Sequence, residues 1–155
     1  MKIRRFVTAE QTDGSVLVRV DDAIPDTETV TPATVMWGWD ELPALPIRPE
    51  DLGGAYVERA LFPAAGGTSF NLIVFPPAGD RFGADGDDNM HRTDTIDFAF
   101  VLEGEVVLRH PGAEEVTLRR GDVFVQNGAL HEWVNRSAER CVMGCVVVAT
   151  QRTGG

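Results

Sequence analysis

The feature that most constrains this chain is its punctuation. Short runs of Val, Ile, Phe and Trp recur between clusters of Gly, Pro and Asp, and no long stretch places apolar residues at a 3.6-residue period. Such a chain closes its core with strands. Sixteen glycines and nine prolines in 155 residues supply the turns. The expected class is all-β, a sandwich or small barrel in a single domain. Residues 1–54 are expected to form strands and a loop that pack on a barrel made by residues 55–155.

An opening hairpin is expected from Ile3 to Val7 and Ser15 to Val20, turning at Thr12-Asp13-Gly14, since Asp-Gly favours the tight turns of hairpins. Thr34 to Trp39 reads as a strand. Leu42 to Gly54, carrying Pro43, Pro46 and Pro49, reads as a loop with one helical turn at Pro49-Glu50-Asp51-Leu52. Further strands are expected at Ala60 to Phe62, Ser69 to Phe75, Asp97 to Glu103, Glu105 to Arg109, Glu115 to Arg119, Asp122 to Gln126, His131 to Asn135 and Val142 to Thr150. The polar segment from Pro76 to Met90 is a long loop, suited to a lid. No repeat, heptad or low-complexity tail beyond Gly154-Gly155 marks a second domain.

Composition narrows the partners. With 14 Lys and Arg against 24 Asp and Glu, the formal charge of -10 repels phosphate backbones and anionic lipid, so neither nucleic acid nor a membrane is expected. The longest apolar stretch, Val142 to Ala149, is too short to cross a bilayer, and Lys2, Arg4 and Arg5 precede no signal-like apolar run. A cytoplasmic location follows as the expectation. Cys141 and Cys145 lie four strand steps apart, about 13 Å, beyond the roughly 7 Å a disulfide tolerates, so both read as small core residues.

The chain has three histidines, His91, His110 and His131. His91 opens His91-Arg92-Thr93-Asp94-Thr95-Ile96-Asp97, which runs into a strand ending at Glu103-Gly104-Glu105. On strand alternation His91 and Thr93 share a face. His131 follows Gly121-Asp122-Val123-Phe124-Val125-Gln126-Asn127-Gly128, a strand and a turn, and Trp133 shares its face. His110, in Arg109-His110-Pro111-Gly112, reads as an exposed turn residue.

These two segments resemble the paired motifs of the cupin superfamily. His91, Thr93, Asp97 and Gly104 occupy the places of the first motif, and Gly121, Asp122, Gly128, His131 and Asn135 those of the second. Thr93 stands where a second His is usual, Asp97 replaces the usual Glu, and Asn127-Gly128 replaces a Pro-containing turn with one residue fewer. The resemblance implies a double-stranded β-helix, or jelly-roll barrel, with an N-terminal β extension. It also implies a divalent metal, Fe, Mn, Ni or Zn, held by His91, Asp97 and His131, and a homodimer, with Phe98, Phe100 and Leu102 on the face opposite Asp97.

Two imidazoles and one carboxylate leave metal positions open, as in non-haem iron oxygenases. The expected function is therefore a metal-dependent enzyme acting on a small organic substrate, an oxygenase first and a lyase, isomerase, decarboxylase or cyclase second. Asp97, His131 and Thr93 would carry the catalysis. A non-catalytic, metal-free binder of small molecules is the other class, because the second His is missing. Without metal, Asp97 and a His facing a cavity can still serve as an acid and base pair. Alternation predicts a cavity wall of Phe70, Leu72 and Val74 or their neighbours, with Ala99 and Val101, Trp133 beside the substrate, and Arg92 or Arg81 for a carboxylate handle. Asp85-Gly86-Asp87-Asp88-Asn89 fails as a calcium loop, because Met90 and Ile96 stand where Gly and Glu are required. Asn135-Arg136-Ser137 reads as a strand end, not a glycosylation acceptor.

Overall fold

The structure, a computed structural model, describes residues 3–24, 33–47, 53–56, 61–78 and 89–153. Among these residues there are eleven strands and no helix: β1 (Ile3–Glu10), β2 (Val16–Ile24), β3 (Ala33–Trp39), β4 (Gly54–Tyr56), β5 (Thr68–Phe75), β6 (Thr95–Glu103), β7 (Glu105–Arg109), β8 (Val116–Arg119), β9 (Val123–Asn127), β10 (Glu132–Val134) and β11 (Cys141–Ala149). No helix among them is long and apolar enough to cross a membrane. The strands form a six-stranded sheet ordered β4-β3-β5-β11-β6-β9, a three-stranded sheet ordered β10-β7-β8, and the hairpin β1-β2. Every pairing is antiparallel. The last strand, β11, enters between β5 and β6, the crossover that makes this a jelly roll rather than a meander.

Both faces of β11 are buried, which is why it reads as an almost unbroken apolar run. Its odd-numbered residues, Cys141, Met143, Cys145 and Val147, join Phe75, Ala99, Val101, Val106 and Leu118 in the core between the two sheets. On the other face Val142 packs with Leu72, Val74, Met36 and Ile24 beneath the base of the hairpin. Two cores therefore lie on opposite sides of one sheet.

The β6–β7 turn shows how tightly the sheets close. Gly104 sits at φ 71°, and a β-carbon there would run into the carbonyl of Arg140. At the same end of the barrel Asn135, 1% exposed, donates to the carbonyls of Pro76 (2.8 Å) and Glu139 (2.8 Å) and accepts from the Ser137 N–H (2.9 Å). It is a structural peg.

Several expectations need correcting. The hairpin is longer than the alternation suggested, running from Ile3 to Glu10 and from Val16 to Ile24. Leu61 and Phe62 form a bend rather than a strand, and the short β4 pairs with β3 instead. Both β3 and β4 belong to the large sheet, so the barrel takes in residues before 55. The helical turn at Pro49 to Leu52 and most of the loop from Pro76 to Met90, Arg81 included, lie outside the described residues.

Candidate functional site

The segment before β6 and the segment before β10 are stitched together at the two histidines. His91 and His131 exchange both backbone hydrogen bonds, each 2.9 Å, in an isolated antiparallel bridge. Their side chains are thereby placed side by side at the barrel mouth, with ring centroids 4.4 Å apart. Each ring is also fixed in tautomer. The Nδ1–H of His91 donates to the Asn89 carbonyl (2.6 Å) and that of His131 to the Ala129 carbonyl (2.8 Å), leaving both Nε2 atoms as lone-pair acceptors.

Gly128 makes the approach to His131 possible. It sits at φ 65° with its α-carbon facing the Thr93 carbonyl and the Arg152 guanidinium. Arg152 ties the mouth together, donating to the carbonyls of Thr93 (3.2 Å) and Gly128 (3.0 Å) and pairing with Asp94 (2.8 Å). Nothing in the sequence pointed to Arg152, because it follows the last strand and carries no motif.

Inside the mouth lies a cavity of about 90 Å³, bounded by His91, Thr93, Asp97, His131 and Trp133 on its polar side. Ile73, Phe75, Ala99, Phe124, Met143 and Val147 form most of the apolar remainder. Trp133 packs edge-on to Phe124 (5.2 Å, 86°) and to His131 (5.9 Å, 82°), making a rigid aromatic wall. Thus His91, Thr93, Asp97, His131 and Trp133 all meet at one cavity.

The expected wall residues Phe70 and Leu72 do not line it. The odd-numbered side chains of β5, Ile73 and Phe75, face inward, while Phe70 is 40% exposed on the outer face and Leu72 lies in the core under the hairpin. Arg92 is exposed and apart from the lining. Conversely, His110 is half-buried, its Nδ1–H donating to the Leu130 carbonyl (2.9 Å) and its ring 6.5 Å from that of His131.

Electrostatics divide the site. Burial pushes the His131 imidazole below its ordinary range, with His91 and His110 adding repulsion against the Ala129 bond, so the ring is neutral near pH 7. Burial raises the Asp97 carboxyl, opposed by a hydrogen bond from Thr95 and the nearby His91. The Thr95 hydroxyl lies 2.7 Å from that of Thr93. Either hydroxyl can donate in that pair; when Asp97 is ionised and accepts from Thr95, Thr93 donates to Thr95 and its oxygen is left as an acceptor on the cavity. Cys145, on the cavity wall, and Cys141 are free thiols that burial pushes up to about 12, so neither is a nucleophile.

Three buried polar side-chain atoms among the described residues lack a partner: Asn71 Oδ1, Asp97 Oδ1 and Gln126 Nε2. Each such atom costs about 1–3 kcal/mol when left unsatisfied. The donor set suits a divalent ion in kind, since two imidazoles offer Nε2 and Asp97 offers an unpartnered oxygen. Among the described residues, however, no three His, Cys, Asp or Glu side chains stand together as a ready ion cage.

A family model described as "Cupin domain" matches residues 72–148 of this chain. Oryzines biosynthesis cluster protein J of Aspergillus oryzae is 30% identical over 152 residues, a match covering 88% of this chain and 76% of that one. Phomopsin biosynthesis cluster protein C' of Diaporthe leptostromiformis is 40% identical over 72 residues, 46% of this chain and 34% of that protein. A cupin-domain-containing oxidoreductase of Neurospora crassa is 44% identical over 52 residues, 34% of this chain and 26% of that protein. Against these last two, the match takes in about a third of the relative's length or less.

Proposed function

Because this chain belongs to the cupin domain family, we propose that it is an enzyme acting on a small, largely apolar organic molecule inside the barrel, with oxidation, an oxygenase reaction first, as its chemistry. The observation that carries this reading is the pair of imidazoles at the cavity, both with Nδ1–H spent on a carbonyl and Nε2 left free. A relative named as an oxidoreductase supports the reaction class.

His91, His131 and Asp97 are the residues that would hold a divalent ion. Such an ion, Fe, Mn, Ni or Zn, supplies Lewis acidity and, where redox-active, one-electron chemistry. The chain's own residues do the rest. The Asn89 and Ala129 carbonyls orient the rings, Trp133, Phe124 and Phe75 exclude water, and the Thr93 oxygen accepts a hydrogen bond from the substrate. Elemental analysis of protein purified without chelator tests the metal. Close to one ion per chain, lost in His91→Ala and in His131→Ala, is the expected result; a folded, metal-free wild type overturns it.

A second reading is favoured by the absence of three converging ligands among the described residues and by the hydroxyl chain from Thr93 through Thr95 to Asp97. In it Asp97 and His131 act as an acid and base pair in a metal-free lyase, isomerase, decarboxylase or cyclase reaction. Catalysis would then survive chelation and vanish in Asp97→Asn. Ligand binding untouched by chelation, with no turnover of any candidate substrate, would instead mark a non-catalytic binder.

The assembly proposed for either reading is a homodimer. Phe98 and Phe100 are 50% and 42% exposed on the outer face of the large sheet, and Phe6, 54% exposed, lies on the hairpin and lines an apolar groove between the hairpin and that sheet. One chain therefore offers both halves of a self-complementary apolar contact.

A further inference from the structure

The cavity under the histidine pair is small for the site of a whole ligand. Its volume is about 90 Å³, below the roughly 150 Å³ of a cavity that holds one benzene ring and well below the roughly 300–1,000 Å³ of pockets that enclose drug-sized molecules. Only a short aliphatic end fits inside. The remainder of a larger molecule has to lie outside it.

An outer cleft of about 640 Å³ adjoins the cavity. Phe62 and Thr93 line both, so one ring and one threonine divide the inner space from the outer. Phe62 is itself 39% exposed, and the backbone on either side of it is tied down. The Leu61 carbonyl accepts from the buried Ser69 hydroxyl (3.1 Å) and from the buried Asn71 amide (3.4 Å). At the other end of the same bend the Gly66 N–H donates to the Ala149 carbonyl (3.2 Å), and the Ala149 N–H donates to the Gly67 carbonyl (3.0 Å). Two polar side chains of β5 thus fix the segment that carries the divider. Beyond it the lining changes character. Thr150, Gln151 and the Arg152–Asp94 pair offer donors and acceptors, and that ion pair leaves the cleft without net charge.

On the reading of the inner cavity as a small-molecule site, on which this rests, we infer that the outer cleft is the second half of that site. Its ligand is an elongated, uncharged molecule. A short aliphatic end passes between Phe62 and Thr93 to the histidines, and a hydrogen-bonding body of amide or hydroxyl groups lies along Thr150 and Gln151. Phe62 sets the width of the end that enters. The assignment holds with or without a bound ion.

Three probes separate the halves: isovaleramide carries the aliphatic end, acetyl-glycyl-glycinamide the body, and isovaleryl-glycyl-glycinamide both. The two glycines add roughly 7 Å of reach. In ligand-observed NMR titrations of the full chain, as purified and after chelation, the joined probe should bind at least ten-fold more tightly than either half, because its second contact is made intramolecularly. Ala65 is exposed and lines the outer cleft but not the inner cavity. Ala65→Trp should therefore reduce the joined probe to the affinity of isovaleramide and leave isovaleramide unchanged. Should that variant not fold, Gln151→Trp fills the cleft from the segment after β11 and should do the same. Phenylacetamide should bind wild type at least ten-fold more weakly than isovaleramide and lose that handicap in Phe62→Ala. A joined probe no tighter than its halves, or one indifferent to the blocking substitution, overturns the two-part site even while isovaleramide binding upholds the inner cavity. Equal binding of the two amides to wild type, or a handicap kept in Phe62→Ala, overturns the role given to Phe62. Failure of every probe, isovaleramide included, overturns the reading of the cavity itself and this inference with it.

Discussion

Asp97 is stabilised less as a carboxylate inside the barrel than in water, because the strands around it strip its solvent and only Thr95 and the nearby His91 compensate. Its folded pKa therefore lies above the unfolded value of 3.8. As pH rises through 3.8 the unfolded chain releases this proton before the folded one does. Stability is then lost over the interval up to the folded pKa, and the deficit persists at neutral pH. In chelator-treated protein, Asp97→Asn should accordingly melt higher than wild type at pH 7, with the gain shrinking as pH falls through the folded pKa and gone below 3.8. Denaturation curves at a series of pH values check this. A variant less stable than wild type at pH 7 would mean that the charge is held by a partner stronger than Thr95 and His91. The same variant should lose activity under either chemical reading, so stability and function would part company at this one residue, as expected of a group placed for use rather than for packing.

Elements set what can be seen in advance. The β6–β7 turn was legible because Glu103-Gly104-Glu105 ends an alternating run, and Gly104 duly takes a positive φ of 71°. Gly104→Ala combines a left-handed backbone with a β-carbon driven against the Arg140 carbonyl, and should cost about 2 kcal/mol or more, read as a lowered urea midpoint at unchanged slope. A loss below half of that would mean the turn relaxes freely. The two motif segments were also legible, since His91, Thr93 and His131, Trp133 keep their alternation up to the bridge that joins them. The inward side of β5 was not. Its even-numbered face is apolar from Phe70 to Val74, whereas its odd-numbered face carries the polar Ser69 and Asn71 before Ile73 and Phe75, yet the odd-numbered face is the inner one and Phe70 points out. Only the hairpin packing on the far face explains that inversion, and the hairpin is distant in sequence. His110 escaped for a related reason. Its contact to the Leu130 carbonyl depends on β10 lying beside β7, a pairing between segments that local turn chemistry cannot report.

At the scale of the whole molecule, charge and apolar surface pull in opposite directions. Each chain carries a formal charge of -10, so two copies repel at long range. Against this stand Phe98 and Phe100 on the sheet and a groove of about 780 Å³ between the hairpin and that sheet, lined by Phe6, Trp37, Phe70, Leu102 and Val146 among others. Among the described residues the hairpin shares no strand pairing with either sheet, and two-stranded ribbons are marginal alone, so a second copy covering it would stabilise an element with little support from the rest of the described chain. If burial supplies the attraction and net charge the opposition, added salt should tighten the dimer, because screening weakens only the repulsion. Sedimentation velocity across a concentration series at low and moderate salt should show a dimer favoured at the higher salt, and a melting temperature that climbs with protein concentration. The double variant Phe98→Glu, Phe100→Glu should be monomeric under both conditions while keeping its Trp133 emission, since those two rings point away from the cavity. A wild type that stays monomeric throughout, or a dimer that salt dissociates, would remove apolar burial as the organising force and leave the outer sheet face without a second copy to cover it.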